Sequence, residues 1–527
     1  MTIGQSTGSG RFGTGVVPVA VPTAVMASVG LWGVDRGGMW GDESVTFLVA
    51  RRTVPQIWRL LHDVDAVHGL YYLLMHAVLT VHPGEVVLRL PSVCAATATA
   101  GLVAALGVRL AGPRVGLWAG LLYAITPMTG HYAQEGRSYA LVAAGVAGAT
   151  LLLLRAVDAA TARAWWPYGT VVALTCLLHE LAVLALCAHA VTLAALRVPR
   201  RAWSGWGGAA GVAVLLLLPL VWVSRGQAGQ VAWLATPGWD EAGRVLRHFS
   251  PGRAGVVFWA ALALLAVGLL ERRPAAVALP LLLLPPGMLL TVSQVRPLFH
   301  ERYVFYALAG APLLVAAGAG RVAGRLERAL CEGRRARTGG RRARALLGVA
   351  GVVTLLAAFV HQLPDHRRDR SAAHRPDNLA AVSAFAVRQV RPGDPVLFLP
   401  SVGRLAALAY PKGFRQARDI ALREPAPRSG TLWGLEATPG ELRRRLAAVD
   451  RVWVVAEPYA LKPRWSPADP VERTKLAVLE AEFTVREQHV REGVVLRLHV
   501  RKPPRGKGEP PGAATTARRP ASRPESP

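Results

Sequence analysis

The stretch Trp40-Gly41-Asp42-Glu43-Ser44 directly follows the first long apolar segment of the chain, residues 16–34. Two adjacent carboxylates are poorly suited to anchoring a helix in lipid, because a charge is costly near hydrocarbon. One of them is well placed to act as a base where a membrane-borne substrate meets water. The structural alternative is that both acids simply open a helix over 43–50, where carboxylates stabilise the first turn.

The chain has the composition of an integral membrane protein. Hydrophobic residues make up 52% of its 527 residues. Segments of roughly 17–25 apolar residues, each long enough to cross a bilayer as a helix, recur as far as residue 362. We therefore predict a polytopic α-helical membrane protein with about 11 transmembrane helices. The predicted spans are 16–34, 88–110, 115–130, 139–154, 166–178, 181–196, 207–223, 255–270, 275–292, 303–320 and 345–362.

The distribution of arginine predicts the orientation of these spans. Only five of the 61 Lys and Arg residues are lysine, and many arginines lie in short loops between apolar segments, including nine within 321–344. Cytoplasmic loops carry such an excess of positive charge. If the short segment Gly69–Val81 lies along the outer interface, all of these loops fall on the cytoplasmic side. The pattern favours membrane lipid over nucleic acid as the partner of these charges.

This topology divides the chain into regions. We expect a multi-pass protein of the cell membrane with a cytoplasmic tail over 1–15, a membrane domain over 16–362 and a first outer loop over 35–87. Alternating helix and strand patterns predict a small extracytoplasmic α/β domain over 363–501, in which we identify no catalytic pattern. The Pro-, Arg-, Gly- and Ser-rich stretch 502–527 predicts a disordered tail.

Two further polar clusters lie where helices are predicted to reach the outer face. The first contains Gln134, Glu135, Arg137 and Tyr139, which is more polar chemistry than a turn between helices needs. In the first outer loop, Asp65 and His68 are also close in sequence, but no spacing matches a strong metal-ligand pattern. The sequence predicts no cofactor and leaves a divalent metal open.

The second cluster is His300-Glu301-Arg302-Tyr303. Arginine and tyrosine are common interfacial anchors, which is the structural alternative, but positive charge on the outer side runs against the orienting bias. An anionic lipid headgroup would explain it, because arginine matches phosphate oxygens bidentately. Arg89, at the start of another outer-face segment, is a candidate of the same type.

Together these stretches resemble the polyprenyl- or dolichyl-phosphate-sugar-dependent glycosyltransferases of the GT-C fold. The resemblance is strongest to glycosyltransferase family 39, the protein O-mannosyltransferase and aminoarabinose transferase group, and spans residues 16–362. The matching stretches are WGDES (40–44), DAVHGLYYLLMHAVL (65–79), LRLPS (88–92), YAQEGRSYAL (132–141) and HERY (300–303).

The resemblance implies an inverting transfer of a sugar from a polyprenyl-phosphate donor to an acceptor hydroxyl outside the cytoplasm. It assigns Asp42 as general base, with Glu43 beside it either assisting catalysis or holding the geometry. It assigns Arg137, Arg302 and Tyr303 as the donor phosphate site. Further substrate contacts are expected from Asp65, His68, Arg89, Gln134, Glu135, Tyr139, His300 and Glu301.

The chain departs from the family pattern in two places. His68-Gly69-Leu70 replaces the usual Pro-Pro or His-Pro before the paired tyrosines, and Arg137-Ser138-Tyr139 stands where one branch has an aspartate. The second departure disfavours an aminoarabinose transferase, and the Arg- and Ala-rich composition favours mannose as the sugar. The acceptor stays open among protein, glycan and lipid.

The sequence leaves two other interpretations open. A transporter or flippase for a lipid-linked or polar solute would bind its cargo with the outer-face polar groups, although the sequence lacks the repeated halves typical of transporters. A non-catalytic cell-envelope scaffold would place no demand on Asp42 at all.

Overall fold

The computed structural model describes residues 12–250, 255–331, 338–371, 377–491 and 494–503. Most of the predicted cytoplasmic tail and nearly all of the predicted disordered tail therefore lie outside the described residues. Within the described part, the chain up to Asp369 is built from helices and turns. These helices are α1 (Phe12–Leu31), α2 (Gly41–Ala50), α3 (Val54–Asp63), α4 (Gly69–Val81), α5 (Glu85–Ala111), α6 (Pro113–Ile125), α7 (Pro127–Ala133), α8 (Tyr139–Ala159), α9 (Trp165–Leu178), α10 (Leu184–Ala195), α11 (Arg200–Gly226), α12 (Trp239–Phe249), α13 (Gly255–Gly268), α14 (Arg272–Val292), α15 (Gly310–Cys331) and α16 (Thr338–Asp369).

Six helical stretches among the described residues are long and apolar enough to cross a membrane. They are α5, α8, α11, α14, the run Glu301–Leu330 and the run Arg342–Asp369. The other predicted spans fall on shorter helices, of which Val16–Leu31 and Gly255–Gly268 are apolar throughout. The fold class is thus a helical membrane protein, and the number of crossings stays a prediction.

One predicted span is interrupted. The apolar segment 115–130 forms two helices, α6 and α7, which meet at Thr126 and Pro127. Proline disfavours the helical conformation of the residue before it, and Thr126 accordingly adopts an extended conformation with ψ of 126°. The interruption turns the chain just before the polar cluster of 131–139.

Small residues let the membrane helices approach closely, as is common in lipid. Gly107 of α5 faces Gly116 of α6, where an added Cβ at Gly107 would lie 2.7 Å from the partner's Cα. Gly318 of α15 is tighter still, since a Cβ there would lie 1.9 Å from the carbonyl oxygen of Leu264 in α13. These contacts hold together the core that supports the outer-face loops.

The C-terminal domain is a small α/β unit, as predicted. Its five-stranded sheet has the order β2-β1-β5-β7-β6, in which β2, β1 and β5 are parallel and β7 and β6 join as antiparallel strands. Two separate apolar clusters cover the two faces of the sheet. The strands are β1 (Pro395–Leu399), β2 (Arg418–Asp419), β5 (Arg451–Ala456), β6 (Phe483–Arg491) and β7 (Val494–Arg501), with a separate hairpin of β3 (Leu422–Glu424) and β4 (Leu435–Glu436). The helices are α17 (Leu379–Gln389), α18 (Leu405–Ala409), α19 (Ala426–Ser429), α20 (Pro439–Ala447) and α21 (Pro470–Glu482).

The first outer loop carries α2, α3 and α4 and lies against this domain. Arg52 donates a hydrogen bond to the carbonyl of Thr431 at 2.8 Å, and Val45 and Leu48 of α2 pack against an apolar cluster of the sheet. The C-terminal domain is therefore seated directly on the helix that carries Asp42.

Candidate active site

Helix α2 presents Asp42 at its first turn. The backbone of Trp40 is extended and the helix begins at Gly41, so the acidic pair opens a helix as the structural alternative predicted. The side chain of Asp42 is 31% exposed, whereas Glu43 is fully buried. Adjacent in sequence, the two carboxylates point into different surroundings, and only Asp42 is open to an incoming molecule.

Two arginines converge on Asp42. The Nη1 atom of Arg302 lies 3.0 Å from Asp42 Oδ2, and Nη2 of Arg137 lies 3.9 Å from the same oxygen. Both arginine side chains are largely buried, at 14% and 6% exposure. The Nε–H groups of both lack a hydrogen-bond partner among the described residues. Two buried guanidinium groups with donors to spare form a site suited to a phosphate or a comparable anion.

A chain of hydrogen bonds orients Arg137. Asp65 bonds to His68 Nδ1 at 2.8 Å, and His68 Nε2 lies 3.1 Å from Arg137 Nη2. Burial and the charge of Arg137 lower the pKa of His68. We infer a neutral ring that donates from Nδ1 to Asp65 and accepts from Arg137 at Nε2. The sequence predicts Asp65 and His68 as substrate contacts. In the structure, they act on the centre of the cluster indirectly, by orienting Arg137.

The carboxylate of Asp65 is held at one end of this chain. Its backbone is left-handed, with φ of 61°, a conformation that aspartate tolerates better than most residues. Burial opposes ionisation, but the hydrogen bonds from His68 and Tyr72 and the positive charge of Arg137 outweigh it and hold the pKa of Asp65 well below its usual range. Asp65 therefore stays ionised and fixes the rotation of His68.

Glu43 forms a buried ion pair with Arg89. Arg89 Nε donates to Glu43 Oε1 and Nη2 to Oε2, both at 2.9 Å, and Gly136 N also donates to Oε1 at 2.9 Å. The remaining N–H groups of Arg89 donate to backbone carbonyls between residues 34 and 38. This pair ties the first outer loop to α5 and to the turn that precedes α8. Of the two roles expected for Glu43, the pair favours holding the geometry over assisting catalysis, and it corrects the expectation that Arg89 binds phosphate.

The neighbouring polar turn divides into two roles. Gln134 donates to the carbonyls of Gly30 and Trp32, both at 2.8 Å, and so joins the turn to α1 instead of facing substrate. Glu135 is buried beside the cluster, and its Oε2 lacks a hydrogen-bond partner within the described chain. Burial raises the pKa of Glu135 to about 8, and the charge of Asp42 adds to the effect. Glu135 is therefore mainly protonated at neutral pH.

Aromatic rings form one wall of the site. The guanidinium of Arg302 lies 5.7 Å from the ring centre of Tyr139 and 5.4 Å from that of Tyr303. The ring of His179 lies 5.0 Å from Tyr303. His300 lies on the far side of Tyr303, at 5.8 Å. Such contacts hold the cation in place through its attraction to the ring faces.

Not every predicted contact reaches the centre. Glu301 pairs with His248 of α12 at 2.7 Å, away from Asp42. The cluster also contains His179, whose place at an outer turn beside Glu180 makes it a weaker functional candidate in the sequence. It further contains Thr46, to which no role was assigned: Arg137 Nη1 donates to Thr46 Oγ1 at 3.3 Å. The one available sign for Thr46 was its position one helical turn after Asp42.

The described residues contain no group of three or more His, Cys, Asp or Glu side chains arranged to hold a metal ion. The cluster around Asp42 instead combines one accessible carboxylate with two cations. It can accept a proton and bind an anion side by side.

No model of a known protein family and no curated protein matches the chain. Solved structures do resemble it. ArnT from Cupriavidus metallidurans in the apo state is 13% identical over 92% of this chain and 98% of its own, with a TM-score of 0.57. Archaeal oligosaccharyltransferase AglB from Archaeoglobus fulgidus, in complex with an inhibitory peptide and a dolichol-phosphate, is 12% identical over 93% of this chain and 74% of its own, with a TM-score of 0.52. These similarities confirm that the chain has the GT-C fold.

Proposed function

We propose that the protein is an integral-membrane glycosyltransferase that moves a sugar from a polyprenyl-phosphate donor to an acceptor hydroxyl, with inversion at the anomeric carbon. The observation that carries the proposal is the convergence of Arg137 and Arg302 on the partly exposed carboxylate of Asp42. A base and a phosphate-binding pair are the two components that such a transfer needs.

The fold supports this assignment. AglB, which has the same fold, was solved with a dolichol-phosphate bound, so the GT-C architecture accommodates a lipid phosphate. In our protein, the proposed phosphate site comprises Arg137, Arg302 and Tyr303, with Tyr303 offering its hydroxyl as a donor.

The proposed reaction proceeds by a single displacement. The acceptor oxygen forms a bond to the anomeric carbon while the bond from that carbon to the phosphate oxygen breaks. The electron pair of the broken bond stays on the lipid phosphate, and the proton of the acceptor hydroxyl passes to Asp42. Arg137 and Arg302 stabilise the charge that the departing phosphate gains.

Donor binding prepares the base in this scheme. Arg302 pairs with Asp42 at 3.0 Å, so the guanidinium engages the carboxylate directly. A phosphate between the two arginines competes for Arg302 and leaves Asp42 free to accept a proton. The base is thereby switched on only when donor is present.

The finer assignments extend the proposal. Mannose is the proposed sugar, supported by the Arg- and Ala-rich composition, while the Arg137-Ser138-Tyr139 departure argues against aminoarabinose. The acceptor is a hydroxyl of a protein, glycan or lipid. The arginine-rich loops support a cell-membrane protein with its N-terminus in the cytoplasm and with the site and the C-terminal domain outside.

The direct test is transfer from radiolabelled polyprenyl-phosphate mannose in membranes that contain the full-length protein. We expect label to leave the lipid and to appear in an acceptor with inverted anomeric configuration. Arg302→Gln should lower kcat/KM for the donor by about 100-fold, while the exposed Arg296→Gln should transfer normally. Retention of configuration, or equal loss in both variants, would contradict the mechanism. Absence of transfer from mannose and from every other sugar donor tried would refute the function.

A further inference from the structure

The helix that carries Asp42 lacks a local N-terminal cap. The first N–H groups of a helix have no partner within the helix and are usually capped by the side chain just before it. Trp40 occupies that position and makes no side-chain capping bond. Instead, the backbone N–H of Gly41 donates to Oδ2 of Asp377 at 3.2 Å. A carboxylate is the favourable partner for the positive end of a helix.

Asp377 comes from a distant part of the chain, immediately before α17 of the C-terminal domain. A second residue of that domain, Tyr410, makes a parallel contact: the N–H of Met39 donates to its hydroxyl at 2.6 Å, and the hydroxyl donates to Glu85. The domain thus bonds to the backbone on both sides of Trp40.

The approach of the domain requires a small residue. A Cβ added to Gly38 would lie 2.7 Å from Cβ of Ala380 and 2.9 Å from the hydroxyl of Tyr410. From the opposite side, Arg89 donates to the carbonyls of Gly37 and Gly38. Residues 37–41 are consequently clamped between the buried Arg89 and the C-terminal domain.

We propose that the C-terminal domain is a positioning element of the active site, in which Asp377 and Tyr410 fix the start of helix α2. The inference rests on the proposed function, because the position that matters is that of Asp42, one residue after Gly41. A shift of the first helical turn would change the 3.0 Å approach of Arg302 and the geometry of the base. A small displacement of the base strongly lowers the rate of a reaction that depends on the alignment of the reacting groups.

The test compares three variants of the full-length protein. Asp377→Ala removes the cap, Asp377→Asn keeps an oxygen that accepts from Gly41, and Asp450→Ala removes an exposed carboxylate of the same domain. We expect kcat to fall at least about tenfold in Asp377→Ala, because a displaced Asp42 is misaligned for the transfer, with the donor KM nearly unchanged. Asp377→Asn should recover most of the loss, and Asp450→Ala should match wild type.

Hydrogen exchange supplies a readout that does not depend on activity. Amides of residues 38–50 should exchange faster in Asp377→Ala than in wild type, while those of α8 stay unchanged. Unaltered exchange and unaltered kcat in Asp377→Ala would overturn the inference. So would a folded Asp377→Asn with the full loss of kcat. If the exchange changes as expected but even the wild type transfers no sugar, the positioning role stands and the proposed function fails.

Discussion

At the scale of single residues, Asp42 and Glu43 differ in role because their carboxylates have different contacts. Glu43 lies in a buried ion pair with Arg89, with no exposed surface on either side chain. Breaking such a pair leaves a charge stranded in the interior, which costs about 3–5 kcal/mol. Glu43 is thus committed to structure, and this commitment leaves Asp42 as the one acid of the pair that substrate can reach.

Glu135 makes the site sensitive to alkaline pH. Burial raises its pKa to about 8, and the nearby Asp42 and Glu43 charges add to the effect against the opposing charge of Arg302. Above that pH, a second negative charge appears beside Asp42, next to the proposed site of the donor phosphate. We therefore expect kcat/KM for the donor to fall as pH rises through about 8, and Glu135→Gln to keep its activity there. A pH profile of both proteins, with exposed Glu480→Gln as control, measures this.

The stability of the fold carries the same dependence. The unfolded chain releases the Glu135 proton near the ordinary pKa of 4.5, whereas the folded protein holds it to about 8. The contribution of this group to the free energy of unfolding is therefore complete at acidic pH and is lost as pH rises through that window. If wild type and Glu135→Gln show identical profiles of activity and stability, Glu135 does not titrate beside Asp42.

Sequence reasoning could find most of these residues but not assign their partners. Asp42, Arg137 and Arg302 stand out because they belong to polar clusters at the outer ends of apolar segments, where positive charge runs against the orienting bias. The pairing of Glu43 with Arg89 depends on how α2 packs against α5, and neither residue differs in type from its functional neighbours. Likewise, Asp377 lies in a domain without any catalytic pattern, so its contact with Gly41 is visible only in three dimensions.

At the scale of elements, the close packing of α13 against α15 requires a small residue at Gly318 of α15. A methyl group at Gly318 would meet the backbone carbonyl of Leu264 at 1.9 Å, whereas nothing lies within 4 Å of Gly324 in the same helix. Gly318→Ala should therefore separate α13 from α15 and lower the stability by about 1–3 kcal/mol or more.

Gly324→Ala is the matched control. It should leave stability unchanged or raise it slightly, because alanine favours helix by up to about 1 kcal/mol. Thermal unfolding of the purified proteins in detergent distinguishes the two variants. Equal midpoints would show that the α13–α15 contact does not limit stability.

The sequence predicts best those elements in which apolar residues recur at the regular spacing of a helix or a strand. The short apolar or amphipathic runs 395–399, 451–455 and 471–482 predict two strands and a helix, and β1, β5 and α21 match these bounds to within one residue. Strand β6 was missed, because Phe483–Arg491 follows α21 without any turn residue and carries several charges. The division of 115–130 into α6 and α7 likewise needed the conformational effect of Pro127 to be weighed above hydropathy.

At the scale of the whole molecule, the GT-C fold is recovered at 12–13% identity. The order of apolar segments predicted a polytopic helical membrane protein, and the family resemblance of motifs such as WGDES (40–44) and HERY (300–303) predicted the GT-C architecture. The number of membrane crossings and the orientation of the protein depend on the bilayer. Short helices such as α4 do not determine either property by themselves. The seating of the C-terminal domain on α2 joins the two parts into one functional unit.

The central claim is that Asp42 is the base of a lipid-phosphate-dependent transfer. The most direct measurement is donor binding and donor turnover on the same purified preparations of wild type, Asp42→Asn and the exposed Asp63→Asn. We expect Asp42→Asn to bind the polyprenyl-phosphate sugar while its turnover falls at least about 1,000-fold, and Asp63→Asn to behave as wild type. Turnover by Asp42→Asn at the wild-type rate would contradict the role of Asp42 as base. A wild-type protein that binds or transports the donor without transferring its sugar would contradict the proposed transfer.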